Sequence, residues 1–98
     1  MAIIWSPRAN ADYRKQLQWL EENHDSRTVL RYLHEVTAAI DRISLPGAVQ
    51  YQAVAGHPNT YRYRLNQFTA LYYRISGENV EIITFFDTRQ NPDNLKLS

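Results

Sequence analysis

The sequence predicts an α+β domain in which a helical hairpin packs on a small, mainly antiparallel sheet. Two observations support this prediction. Apolar residues recur at helical spacing through the first half of the chain, and three strand-like segments fill much of the second half. A short apolar run from Ala2 to Trp5 predicts a further strand at the start. The 98 residues are expected to form one domain, 1–98, with one modest core.

The first helix is expected to follow the opening strand at once. Ser6 is a suitable capping residue, and Pro7 suits the first helical position, so the helix should run from Pro7 to about Asn23. Its apolar stripe consists of Ala9, Tyr13, Leu17 and Leu20. Trp19 falls on the polar side of this helix, where it either anchors a partner or packs beneath the segment 48–59.

A second helix is expected from about Ser26 to Ser44, ending before the stop signal Leu45-Pro46-Gly47. Its apolar stripe consists of Val29, Leu33, Val36, Ile40 and Ile43. Because so few residues connect the two helices, they should form an antiparallel hairpin that covers one face of the sheet. The segment 48–59 fits neither period, and it is interpreted as an extended connection closed by a turn at His57-Pro58-Asn59.

Two neighbouring strands are expected on either side of the polar break Asn66-Gln67. Alternation at a period of two separates an apolar face from a face that carries arginines. The apolar face comprises Tyr61, Tyr63, Leu65, Leu71, Tyr73 and Ile75, and the opposite face comprises Arg62, Arg64, Ala70, Tyr72 and Arg74. We expect most of the tyrosines to pack in the core and Tyr72 to be exposed.

The third strand, Val80 to Phe86, follows a turn at 76–79 and is apolar at nearly every position. This pattern is typical of a strand covered on both faces, so we expect a central strand, near the middle of the sheet. It leads to the polar segment Asp87 to Pro92, where the proline prevents further pairing. The last six residues either form a short helix or fray.

Composition excludes several classes of protein. The net charge of +1 is not that of a strongly basic nucleic-acid binder, and the absence of cysteine excludes disulfide and thiolate chemistry. No segment resembles a membrane span or a signal peptide, so a cytoplasmic location without membrane partners is expected. His24, His34 and His57 lack metal-ligand spacing, and no phosphate-binding loop is present, so neither a metal nor a cofactor is expected.

Arginines provide the sharpest candidate site. Arg62, Arg64 and Arg74 are expected on one sheet face, with Arg89 just beyond the third strand. Such a cluster can hold phosphates or an acidic peptide, and it can stabilise a phosphoryl-transfer transition state without a metal. Alternating charges also keep an exposed face soluble, and this second interpretation stays open.

The order of elements, together with YRYRL, ALYYRI and IITFFDTRQNPDNL, resembles the RelE/ParE family of bacterial toxins over essentially the whole chain. The segment FFDTRQNP is similar to plasmid-stabilisation members of that family. The resemblance implies the toxin half of a type II toxin–antitoxin pair. It also implies a cognate antitoxin that wraps a disordered segment around the toxin in a hetero-oligomer.

The two branches of the family imply different targets. RelE-type members cleave messenger RNA on the ribosome, and their basic residues match Arg62, Arg64 and Arg89 as candidate catalytic residues. Two departures count against cleavage: Ala70 stands where these members carry an arginine, and the tail 90–98 has no tyrosine or histidine.

ParE-type members lack that nuclease constellation and poison DNA gyrase, which is the interpretation that the resemblance narrowly favours here. A non-toxic relative that keeps only antitoxin binding is a third possibility. Trp19, Arg62, Arg64 and Arg74 are the candidates for contact with antitoxin or target.

Overall fold

A computed structural model describes residues 2–45 and 51–97, which form a sheet covered on one face by two helices. The elements are β1 (Ala2–Trp5), α1 (Pro7–Asn23), α2 (Ser26–Ser44), β2 (Gln52–Ala53), β3 (Thr60–Arg64), β4 (Thr69–Ser76), β5 (Asn79–Asp87) and a short 3₁₀ turn (Pro92–Asn94). The predicted bounds of the opening strand and both helices are confirmed. Within the described residues, no helix combines the length and apolarity needed to cross a membrane.

The five strands lie in the order β1-β5-β4-β3-β2, and only β1 and β5 run parallel to each other among these pairs. The prediction of a mainly antiparallel sheet is confirmed. The prediction that β5 lies near the middle of the sheet, covered on both faces, is confirmed, because it pairs with β1 and β4 and its side chains enter apolar clusters on both faces. The third of the five strands is β4. The two-residue strand β2, which the irregular pattern of 48–59 concealed, adds a neighbour beyond β3 and shifts the centre to β4.

The connection before β3 is described from Tyr51 onward, and residues 48–50 lie outside the described part. The turn expected at 57–59 is confirmed, with Asn59 in the left-handed region at φ 57°. Asparagine tolerates this conformation better than most side chains do. The stop signal after α2 is described only at Leu45, since Pro46 and Gly47 also lie outside the described residues.

The main core lies between the helices and the inner face, which is the sheet face that the helices cover. The predicted stripe of α1 meets the aromatic face of β3 and β4 there, and so does the predicted stripe of α2 except for Leu33. Tyr32 and Ala39 of α2 belong to this core instead. The largest fully buried side chains include Tyr73, Leu71 and Ile82. The predicted alternation of β3 and β4 is confirmed, because Tyr63, Leu71 and Tyr73 all belong to this core.

The outer face, which is the sheet face away from the helices, carries a second apolar cluster. Ala70, Tyr72 and Ile83 are covered there by Leu95 and Leu97 of the C-terminal segment. Tyr72 is only 8% exposed, so the expectation that it is exposed is wrong. Alternation shows which face a residue occupies, but it does not show whether a distant segment folds back over that face.

A β-bulge in β5 connects the sheet to the start of α1. Tyr72 pairs with Thr84 and Tyr73 with Ile82, so Ile83 is the extra residue. The Ser6 backbone N–H donates to the Ile82 carbonyl at 3.0 Å, and its hydroxyl donates to the Ile83 carbonyl at 2.6 Å. The same hydroxyl oxygen accepts from the backbone N–H of Ala9 and caps α1.

Asp12 holds the next turn of α1 against the bulge. Its Oδ2 accepts from the buried Thr84 hydroxyl and, at 3.2 Å, from the backbone N–H of Phe85. A bulge leaves backbone groups without ladder partners, and a carboxylate is a strong acceptor for them. This contact sets the position of α1 along the direction of β5.

We expect Asp12→Ala to lower the free energy of unfolding by about 2 kcal/mol, because it leaves a buried hydroxyl and a backbone N–H without an acceptor. Urea denaturation measures this change. Asp41→Ala removes the same side chain from an exposed position on α2 and should change stability by less than about 0.5 kcal/mol. Equal effects of the two substitutions would show that Asp12 does not hold α1 on the bulge.

Candidate functional site

Arg62, Arg64 and Arg74 all lie on the outer face, as the alternation predicts. Arg74 is opposite Thr60 at the start of β3, whereas Arg64 is at the end of that strand. The two positions are four residues apart along the strand, so their Cα atoms are separated by about 13 Å along it. The apolar cluster around Tyr72 lies between them. Arg74 is bound to Glu81 and to the Leu97 carbonyl, and Arg64 Nε donates to the Asn66 carbonyl beyond the other end of β3, so these two guanidinium groups are held at opposite borders of the outer face.

Arg74 already has two partners within the chain. Its Nη1 lies 3.2 Å from Glu81 Oε1 on the neighbouring strand, and its Nη2 donates to the Leu97 carbonyl. Arg8 makes a similar contact from α1, where its Nη1 donates to the Lys96 carbonyl at 3.1 Å. Together, the two arginines hold the C-terminal segment over the outer face.

Arg89 lies just beyond the end of β5, at the end of the sheet where β3 ends with Arg64. Its Nε and Nη2 donate to the two oxygens of Asp87 at 3.0 and 2.9 Å. The guanidinium carbon lies 4.3 Å from the centre of the Phe68 ring, a cation–π contact. The Arg89 hydrogen bonds hold the pKa of Asp87 below its usual range, and the pKa of Arg89 is raised in turn. Arg89 is therefore bound within the chain before any ligand arrives.

Trp19 and Arg89 line the same groove, which lies between the helical hairpin and the ends of β4 and β5. We call this feature the hairpin groove. Its wider part has a volume of about 630 Å³, within the range of small-ligand sites. Trp19 is 48% exposed and Phe68 is 43% exposed, so two aromatic side chains face solvent at its rim. Gln16, Tyr32 and Thr69 are among the other lining residues.

The charges of the hairpin groove compensate one another. Asp87 is paired with Arg89, Asp12 accepts from Thr84, and Glu35 Oε2 accepts from Asn66 Nδ2 at 2.9 Å. Two acids and two bases line each part: Asp12, Asp87, Lys15 and Arg89 in one, and Glu35, Asp87, Arg31 and Arg89 in the other. The groove is consequently close to neutral.

Tyr32 is the unusual residue of this groove. It is 4% exposed, and its hydroxyl oxygen has no hydrogen-bond partner among residues 2–45 and 51–97. Burial, followed by the charges of Tyr13, Asp12 and Glu35, raises the pKa of Tyr32. The phenol therefore stays neutral and keeps its proton. A buried polar group without a partner destabilises the folded state unless another molecule supplies that partner.

Sequence patterns alone do not identify the hairpin groove. Neither the helical period nor the spacing of charges singles out Tyr32 or Asp12. The sequence offers two signals, which are Trp19 on the polar side of the first helix and Phe68, an isolated aromatic residue in the polar stretch between two strands. Within the described ranges, no group of three or more His, Asp or Glu side chains is placed to hold a metal ion.

Solved structures of low sequence identity share this fold. The chromosomal ParDE system from P. aeruginosa matches with a TM-score of 0.70 at 12% identity, covering 89% of this chain and 95% of that one. The YoeB/ParE toxin from Agrobacterium tumefaciens matches with a TM-score of 0.60 at 16% identity, covering 89% and 98%. The YoeB-YefM complex from Staphylococcus aureus matches with a TM-score of 0.59 at 14% identity, covering 88% and 94%.

These likenesses define the class as a RelE/ParE-like α+β fold, and they confirm the predicted fold class. Comparison with curated protein sequences finds no significant match. The model of the family described as "ParE toxin of type II toxin-antitoxin system, parDE" matches residues 3–92. The chain therefore belongs to the ParE toxin family, and the resemblance seen in the sequence is confirmed.

We expect Tyr32→Phe to raise the free energy of unfolding by about 1 kcal/mol, because it removes a buried hydroxyl without a partner and keeps the ring. Urea denaturation measures the difference. Tyr61→Phe is the matched control, since it deletes a hydroxyl from a partly buried tyrosine on β3. A loss of stability in Tyr32→Phe would mean that the hydroxyl has a partner in the free protein.

We expect Asp87 to titrate below the ordinary value of about 3.9, and Arg89→Gln to return its pKa towards that value. A pKa lowered by folding means that the contribution to stability is present above the unfolded pKa and is lost as pH falls through the folded one. Carboxyl NMR titration measures the pKa. Arg31→Gln removes another groove arginine and should leave Asp87 unchanged; an equal shift would contradict the assigned pair.

Proposed function

We propose that this chain is a ParE-like toxin that inhibits DNA gyrase in the cytoplasm and is neutralised by a cognate protein antitoxin. Membership of the ParE toxin family supports the toxin class. The choice of gyrase over messenger RNA rests on one observation, which is that Arg89, one of the arginines matched to RNA cleavage, is already bound to both carboxylate oxygens of Asp87.

Metal-free cleavage of RNA needs cations gathered around the scissile phosphate and groups that transfer protons. Arg74 is bound to Glu81 and to the C-terminal segment, and Arg89 is bound to Asp87 at another edge of the sheet. Ala70 is fully buried at the position where RelE-type members carry an arginine. These placements favour a toxin that acts by binding and not by cutting RNA.

Antitoxin binding is proposed at the border of the outer face and at the hairpin groove. Arg62 and Arg64 lie beside apolar surface, an arrangement that suits a partner segment with alternating acidic and apolar residues. Exposed Trp19 offers a large apolar anchor on the opposite side of the sheet. The neighbours include a YoeB-YefM complex and a DinJ-YafQ complex, which supports a protein partner for this chain.

We expect induced expression in a bacterial host to arrest growth with filamentation and DNA-damage signalling. The purified chain should also inhibit supercoiling of relaxed plasmid by gyrase. Co-expression of the adjacent reading frame, if it encodes the antitoxin, should restore growth. The matched control is the same host expressing the chain and its antitoxin together from the outset.

Other outcomes assign other functions. Arrest of translation first, with transcripts cut within codons and cutting lost in Arg89→Ala, would replace gyrase by messenger RNA as the target. Growth without any defect, combined with tight binding of the neighbouring product, would identify a non-toxic relative that keeps only the antitoxin surface.

A further inference from the structure

The strand β1 forms one edge of the sheet, and its free side has no neighbouring strand among the described residues. Its sequence, AIIW, is uncharged and contains neither proline nor glycine. Soluble proteins commonly protect an edge strand by making it very short or by placing charges, proline or a bulge on it. The opposite edge follows this rule, because β2 has only two residues. The edge at β1 is therefore the one open to pairing with another strand.

The free side of β1 presents a defined set of backbone groups. The Ser6 N–H donates to the Ile82 carbonyl, so the backbone of Ser6 points towards β5. Because backbone groups alternate in direction along a strand, those of Ile4 also point towards β5. The N–H and C=O groups of Ile3 and Trp5 point away, and they have no backbone partner among residues 2–45 and 51–97. An added strand would meet four unpaired groups at regular spacing.

These four groups are complementary to themselves. When two copies of β1 lie antiparallel with Ile4 on the two-fold axis, Ile3 of each copy is opposite Trp5 of the other. Residues opposite each other in an antiparallel pair exchange both of their hydrogen bonds at every second position. With the outward groups of Ile3 and Trp5 at those positions, every unpaired N–H on one copy meets an unpaired carbonyl on the other.

The side chains of β1 suit the same arrangement. Ile3 and Trp5 pack against the main core, so Ile4 lies on the outer face, where it is 46% exposed. At a position without hydrogen bonds, the Cα atoms of opposite residues are only about 4.5 Å apart, so the two Ile4 side chains would cover each other. On the inner face, Ile3 of one copy would contact Trp5 of the other and join the two cores.

The charges around this edge favour a second copy of the chain as its occupant. Identical antiparallel strands bring like charges together when the strand carries one at its centre, and β1 carries none. Glu81, which lies beside Ile4 on β5, is already paired with Arg74. Two-fold pairing also closes after two copies, because each copy has one β1 edge.

The first helix leaves the free side of β1 uncovered. Ser6 and Asp12 bind to the bulged part of β5, so they hold α1 over β5 and not beyond the edge of the sheet. An added strand can therefore reach the outward groups of β1 without displacing the helix.

From these observations we propose that the free chain forms a symmetric dimer by antiparallel pairing of β1 with β1, which joins two five-stranded sheets into one. The two-fold axis is perpendicular to the sheet, so both helical hairpins lie on the same face. No residue of β1 lines the hairpin groove, and the groove stays accessible in both copies. Neither toxicity nor antitoxin binding is needed for this pairing.

Sedimentation velocity of the purified full chain, at concentrations from roughly 20 μM to 1 mM, measures the association. Because the interface is small, we expect a dissociation constant on the order of 100 μM. Ile4→Lys places two ammonium groups together at the two-fold axis and should weaken association at least about tenfold. Leu30→Lys is the matched control, since Leu30 is 56% exposed on α2, and it should associate as the unchanged chain does. Urea denaturation at low concentration verifies that both variants fold.

Amide hydrogen exchange locates the interface. The amides of Ile3 and Trp5 should exchange at least roughly threefold more slowly at the highest concentration than at the lowest. The amide of Ala53 lies on the free side of β2, because the Val54 N–H donates to the Thr60 carbonyl, and its exchange should not change.

Three results would overturn the proposal: a monomer throughout the concentration range, equal association of Ile4→Lys and the unchanged chain, or slowed exchange at Ala53 in place of Ile3 and Trp5. A monomer whose Ile3 and Trp5 amides are protected only after the neighbouring gene product is added would assign this edge to the antitoxin instead. Growth inhibition is measured separately, so the loss of either the dimer or the toxic activity leaves the other standing.

Discussion

The arrangement of this molecule depends on the contact between the start of α1 and the bulge in β5. The bulge at Ile83 leaves backbone groups without ladder partners. Ser6 and Asp12, at the start of α1, form hydrogen bonds with these groups. Because both residues lie in or next to the first two turns, they fix the helix along its axis as well as its distance from the sheet. Trp19, two turns further on, is thereby placed above the ends of β4 and β5, where the hairpin groove forms.

The two faces of the sheet have different roles that follow from what covers them. The inner face is sealed by the helices and provides most of the core, and the outer face is closed by Leu95 and Leu97 at its centre. Arginines border that second cluster. Some of their N–H groups donate to acceptors within the chain, as Arg74 does to the Leu97 carbonyl. Surface for a partner is therefore found at the borders of the sheet and at the hairpin groove.

Much of the fold could be predicted because its elements have strong local signals. Ser6 and Pro7 mark the start of α1, the stripes of both helices have a clear helical period, and β3 and β4 alternate cleanly. The candidate site was only partly predictable. Exposure of Trp19 followed from its position on a polar helix face, but its approach to Arg89 depends on residues 70 positions apart in sequence meeting at one end of the sheet.

The sequence by itself determined the family, the helices, the main strands and the sheet face on which Arg62, Arg64 and Arg74 lie. Tertiary structure decided that β4 is the third of the five strands, that Tyr72 is covered, and that Arg89 is paired with Asp87 beside Phe68. The physical reason is that periodicity records only which side of an element meets apolar surroundings. Strand order, the return of the C-terminal segment and the missing partner of the Tyr32 hydroxyl depend on contacts between distant residues, which no local pattern encodes.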